Sequence, residues 1–157
     1  MQLLDFRFKY KRWTALDCST NERREIFYPF VPCILSSNNG IKIPVEGLLD
    51  SGSDGIVLPR RMAGFLGLDL KKAEPLRVPG SRANRSITKV SISLGRAGRL
   101  CGPIEDVEAS VLEGDDTLLI LGRNPIFRLY RITFIEPEYR FEMIPYRTEL
   151  GIGHPLN

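Results

Sequence analysis

Histidine is nearly absent from this chain: its 157 residues include one, His154, close to the end. That scarcity leaves no histidine-based metal cluster and no Ser-His or Cys-His catalytic pair inside a core. The Gly-x-Ser-x-Gly turn of many serine hydrolases is missing as well. No metal and no cofactor are therefore expected. Cysteine is scarce too. Cys18, Cys33 and Cys101 are odd in number and far apart, which suits free thiols in a reducing compartment, so a cytoplasmic location is expected rather than a disulfide framework. No run approaches the roughly 20 apolar residues that span a bilayer, and Met1–Arg7 lacks the apolar core of a signal peptide. A membrane partner is not expected. Nor is there an excess of one charge: 22 basic residues face 19 acidic ones, interleaved along the chain, for a net charge of +3. That balance is too slight and too dispersed for a nucleic-acid footprint, so no nucleic-acid partner is expected. Asn84-Arg85-Ser86 has the form of a glycosylation sequon, which a cytosolic chain does not use. The length fits a single domain, 1–157, burying roughly 70% of the surface that its unfolded chain exposes.

What the chain does have is one carboxylate in a conspicuous place. Leu48-Leu49-Asp50-Ser51-Gly52-Ser53-Asp54-Gly55 launches Asp50 from an apolar strand into a turn of small residues. A strand end is rigid, and Gly52 lets the backbone turn where a side chain would clash. Asp, Ser and Gly favour turns of any kind. The flanks argue for more than a turn, because Val45-x-Gly47-Leu48-Leu49 and Ile56-Val57-Leu58-Pro59 set the acid between two apolar strands. Later comes a second apolar run ending in glycine, Leu118-Leu119-Ile120-Leu121-Gly122-Arg123-Asn124-Pro125-Ile126-Phe127.

Together the two segments resemble those of the retropepsin-like aspartic proteases, which carry Asp-Ser/Thr-Gly-Ala and then an Ile/Leu-Leu-Gly-Arg segment that opens a helix. The resemblance covers roughly residues 28–146, leaving 1–27 as an N-terminal extension with a strand and 147–157 as a tail. Ser53 departs from the family's usual Ala, a change between two small residues. The resemblance implies a mostly β fold, a retropepsin-like acid-protease barrel with one or two short helices, working as a homodimer. It also implies a function: an aspartic endopeptidase acting on peptides or unfolded proteins, with a water activated by two Asp50 carboxylates, one from each subunit.

Residue patterns give a β reading of their own. Leu4, Phe6, Phe8 and Tyr10 alternate with charged residues, which predicts a strand over 2–11. Residues 19–24 read as a polar loop and 27–35 as a strand, with Pro29 and Pro32 tolerable near a sheet edge. Asn39-Gly40 signals a hairpin turn, and 41–49 returns to deliver Asp50. Pro59 opens a short helix in which Met62, Phe65 and Leu66 share a face before Gly67 stops it. Residues 77–79 and 86–94 look like hairpin arms, 107–112 and 118–121 like strands, and Asn124-Pro125 like the cap and first residue of a short helix. Strands over 130–135 and 139–144 close the domain around Glu136-Pro137. A faint repeat runs through this order: an apolar run, then glycine, then a proline-led helix, around Gly52 and Pro59 and again around Gly122 and Pro125.

The single Asp-Ser-Gly has a chemical consequence. Aspartic proteases need two carboxylates sharing a proton, one taking a proton from water and the other polarising the scissile carbonyl. A two-fold axis between two copies of Asp50 would supply the pair. By resemblance, Ser51 would bond across the dimer and Gly52 would offer its carbonyl to the substrate. Asp54 would cap the substrate main chain and pair with Arg123, while Leu48, Leu118 and Ile120 would line side-chain pockets. Each has a plainer alternative, a turn serine, two solvated charges or core packing. Val78 to Arg85 is the flap candidate, because Pro79-Gly80 with Ser81 favours a type II turn. Arg82 and Arg85 could favour acidic substrates or be solvated loop charges. The runner-up function is a catalytically idle dimeric peptide-binding module on the same fold; an adaptor that dimerises through strand edges would leave the Asp50 turn unexplained.

Overall fold

The computed structural model describes residues 6–75, 84–96, 98–114 and 117–146. Five strands precede Asp50 or end at it: β1 (Phe6–Lys9), β2 (Lys11–Asp17), β3 (Glu22–Tyr28), β4 (Phe30–Ser36) and β5 (Lys42–Leu49). After it come β6 (Ile56–Val57), the helix α1 (Arg60–Phe65), β7 (Glu74–Pro75), β8 (Asn84–Arg96), β9 (Arg99–Leu112), β10 (Ile120–Leu121), β11 (Tyr130–Ile135) and β12 (Arg140–Pro145). Helical turns at Arg123–Phe127 and Glu136–Glu138 complete the order.

The main sheet runs β4-β5-β10-β6-β9-β8-β7, and a further pairing of β4 with β8 closes six of these strands into a barrel with β7 outside the ring. The alternation of β4 explains how. Val31, Cys33 and Leu35 point into the core while the residues between them are half-buried. Pro32 and Pro44 fit where a ladder bond is not needed: β8 joins β4 only from Cys33 onward, and β10 joins β5 only at Leu48 and Leu49. The core also takes in Leu58, Leu66, Ile92, Ala109, Leu121 and Ile126. β1, β12 and β11 form a separate three-stranded sheet whose Phe141 and Met143 are fully buried, and β2 and β3 form a hairpin of their own.

Several expectations are corrected. Of the strand expected over 2–11, residues 2–5 lie outside the described residues, and the rest is divided at Tyr10 between β1 and β2, which belong to different sheets. The Tyr10 hydroxyl donates to Glu136 at 2.5 Å and its N–H donates to the Tyr139 carbonyl. The polar loop expected over 19–24 is shorter, because Glu22, Arg23 and Arg24 already lie in β3. The strand over 27–35 breaks at Pro29, which has no N–H to give a ladder. Leu66, just after α1, is buried but Phe65 is 72% exposed, since Phe65 lies about 200° around the helix from the buried Ala63. Of the hairpin arms expected over 77–79 and 86–94, the first lies outside the described residues; the second falls within β8, which pairs along its length with β9 and at its start with β7, Glu74 opposite Arg85. Residues 76–83, and with them Pro79, Gly80 and Ser81 of the flap candidate, lie outside the described residues; Asn84 and Arg85 belong to β8. The strands over 130–135 and 139–144 form as a hairpin, β11 and β12. All three cysteines are free, and burial pushes the Cys33 thiol up to about 12.

Candidate active site

Asp50 is the first residue after β5, and its place is fixed from both sides. β10 lies parallel to β5, with Ile120 opposite Leu48 and Leu121 opposite Leu49, and antiparallel to β6, with Leu121 opposite Ile56. The Asp50 N–H donates to the Leu121 carbonyl at 3.2 Å. Within the turn, the Gly52 N–H donates to Asp50 Oδ1 at 2.8 Å and the Ser53 N–H to the Asp50 carbonyl at 3.2 Å. The carboxylate is held by one backbone donor while the residue stays half-exposed.

The second glycine turn laces into the first. The Arg123 N–H donates to the Ser53 carbonyl at 2.8 Å and the Asn124 N–H to the Asp54 carbonyl at 2.9 Å. Gly122 is buried between them. A Cβ there would overlap the Gly55 carbonyl oxygen and stand 2.7 Å from that of Ser53, so only glycine allows the two loops to cross this closely. Gly47 has a similar role one strand earlier, where a Cβ would meet the Leu121 side chain at 2.6 Å.

The Asp50 turn opens onto a cleft of about 630 Å³ lined by Asp50, Gly52 to Val57, Arg85, Glu108, Ser110, Leu112, Ile120 and Asn124. Among the residues expected there from the sequence, Asp50, Gly52, Asp54 and Ile120 are brought together. Ser51 is exposed at the turn, Leu48 is half-buried in β5, and Leu118 is 43% exposed outside the cleft lining. Asp54 and Arg123 do form an ion pair through Oδ1 and Nη2. Their side chains are 88% and 59% exposed, so within one chain this is a solvated contact rather than one buried beneath a groove. The wall formed by Glu108, Ser110 and Leu112 was not foreseen. Its signal is the period of two along β9, which turns these three residues to one side and Val107, Ala109 and Val111 into the core.

A family model of aspartyl proteases matches residues 33–124, which contain both glycine turns. The chain belongs to the aspartyl protease family. Among curated proteins, no sequence matches. Among solved structures, a retropepsin-like aspartic protease from Rickettsia conorii is similar, with a TM-score of 0.54 and 16% identity over 92% of this chain and 95% of that one. EIAV protease complexed with the inhibitor HBY-793 is matched at a TM-score of 0.44 and 22% identity, over 64% of this chain and 86% of that one. The fold is thus the retropepsin-like barrel that the sequence suggested, and the enzyme class is that of an aspartic endopeptidase, a hydrolase. No helix among the described residues is long and apolar enough to cross a membrane.

Proposed function

We propose that Asp50 is the catalytic carboxylate and that two chains, related by a two-fold axis, bring two copies of it to one water and one scissile peptide bond. The observation that carries this reading is the anchored placement of Asp50 at the mouth of an open cleft, with no second carboxylate of the same kind among the described residues. Asp54 lines the cleft but is engaged by Arg123, and Glu108 stands on the β9 wall. Two like charges a few ångströms apart cannot both ionise cheaply, so one Asp50 takes a proton from the attacking water while its mate, protonated, donates to the carbonyl. The open outer sides of β1 and β11 support pairing with a second copy, because each strand has a ladder partner on one side only among the described residues.

In this reading, Ser51 is the residue that reaches the partner's turn, and Gly52 and Asp54 meet the substrate backbone. Ile120 meets its side chains, with Leu48 and Leu118 completing pockets in the dimer and Pro79, Gly80 and Ser81 covering them. Residues 28–146 form the core of one domain, 1–27 an extension and 147–157 a tail. The substrate is a peptide or an unfolded protein, and the free thiols suit a reducing, cytoplasmic setting.

Digestion of a denatured protein across roughly pH 3 to 7, the range in which a carboxylate pair titrates, tests the assignment with wild type and Asp50→Asn side by side. Replacement by Asn keeps the shape and removes the charge. The expected outcome is cleavage by wild type that disappears in the variant while circular dichroism is unchanged. Equal cleavage by the two proteins would refute the mechanism.

A further inference from the structure

Among the described residues, Arg85 is the one cation on the wall of the Asp50 cleft, and it is held in place. It sits on β8 between Glu74 of β7 and Leu112 of β9, with its side chain 26% exposed. Its Nε and Nη2 both donate to Glu74 Oε1, at 3.2 and 3.1 Å, and its Nη1 donates to Ser110 Oγ at 2.9 Å. A guanidinium carries five N–H groups in a rigid plane. Three are used, so one N–H on each Nη has no acceptor among the described residues. This is a preorganised donor pair beside the catalytic turn, not the loop charge that the sequence suggested.

The surroundings decide which acceptor fits. Glu74 already offsets the charge of Arg85, and among the described residues the other ionisable groups lining the cleft are Asp50, Asp54 and Glu108, all carboxylates. An incoming anion meets that acidic surround. An aliphatic side chain excludes water from the two N–H groups and leaves them unsatisfied, which is unfavourable for buried donors. A neutral amide escapes both costs, because its oxygen accepts from Arg85 while its NH₂ can donate to Ser110 or Glu108. We propose that Arg85 makes this cleft select substrates that place a glutamine or asparagine side chain against the β8–β9 wall, over aliphatic and over acidic ones. The inference rests on the assignment of the Asp50 cleft to substrate.

The test is the profile of cleavage sites in a mixture of denatured proteins, read by mass spectrometry. Wild type should show one subsite at which Gln and Asn are favoured over Leu and over Glu by at least about tenfold, as for a site built to hydrogen-bond its ligand. The double variant Arg85→Leu/Glu74→Leu leaves no orphaned charge and should reverse the preference toward Leu. Arg85→Lys keeps the ion pair but removes the fork, and should abolish the preference in a protein that still folds. A wild-type preference for Leu or Glu at every subsite, or an amide preference that survives both variants, overturns the inference while leaving Asp50 catalysis intact. If cleavage is absent or independent of Asp50, the assignment of the cleft has failed. In that case the same series, as peptides with a reduced scissile bond, is measured for binding to Asp50→Asn. An Arg85-dependent amide preference there upholds the inference, and its absence or the absence of any binding overturns it.

Discussion

The two glycine turns look alike in sequence and differ in what they do. The turn at Gly52 carries an acid and is exposed: a Cβ on Gly52 would press on the Asp50 carboxylate, with Oδ1 at 3.1 Å, and on no backbone. The turn at Gly122 carries no acid, is buried, and leaves no space, since its backbone lies against Ser53 and Gly55. In the proposed site, one turn presents the acid and the other clamps it. Two turns of similar sequence can therefore differ in whether they keep a carboxylate, and in the proposed site the second acid comes from a second chain.

The largest effect expected from this division is at Gly122. With Gly122 at φ −86°, alanine would be unstrained in its backbone, so Gly122→Ala tests contact alone. Two carbonyl oxygens would have to move, and a loss of about 3 kcal/mol, at the upper end of overpacking costs, should appear in the denaturant midpoint. Gly52→Ala should cost less than about 1 kcal/mol, as expected for an exposed site, yet reduce cleavage by crowding Asp50. Equal stability losses at the two glycines would remove the distinction between clamp and presenter.

A smaller effect is expected at Asp54 and Arg123, which tie the rims of the two turns together. An exposed ion pair contributes about 1 kcal/mol or less, so a double-mutant cycle with Asp54→Ala and Arg123→Ala should show weak coupling in dilute, monomeric protein. The coupling should rise at concentrations where the dimer forms, if assembly covers the pair. A strong coupling in the monomer would mean that the clamp depends on side chains and not on the backbone bonds from Arg123 and Asn124.

Much of this was legible in the sequence, because the decisive features are local. Asp50 after Leu48-Leu49, glycine at 52 and 122, and Pro59 before α1 each constrain the backbone within a few residues. Long-range features were harder to read. Tyr10 alternates correctly with Phe6 and Phe8, but it divides β1 from β2, and nothing near Tyr10 encodes its bonds to Glu136 and Tyr139. The β2–β3 hairpin was hidden because Glu22, Arg23 and Arg24 read as part of a polar loop, and in the structure these strand residues are exposed. Arg85 read as a loop charge because its partners, Glu74 and Ser110, are recruited by strand pairing. The cleft wall of Glu108, Ser110 and Leu112 follows from which side of β9 faces the core, which periodicity reveals only once the core side is known.

The central claim is that one site uses Asp50 from two chains, and mixing tests it most directly. Wild type is incubated with a ninefold excess of Asp50→Asn, at a total concentration where dimers form and exchange, and peptide cleavage is measured per mole of wild type. Random pairing leaves about a tenth of wild-type chains with a wild-type partner, so a shared site predicts activity reduced to about a tenth. Undiminished activity in the mixture would contradict it, and would mean that each chain carries a complete site.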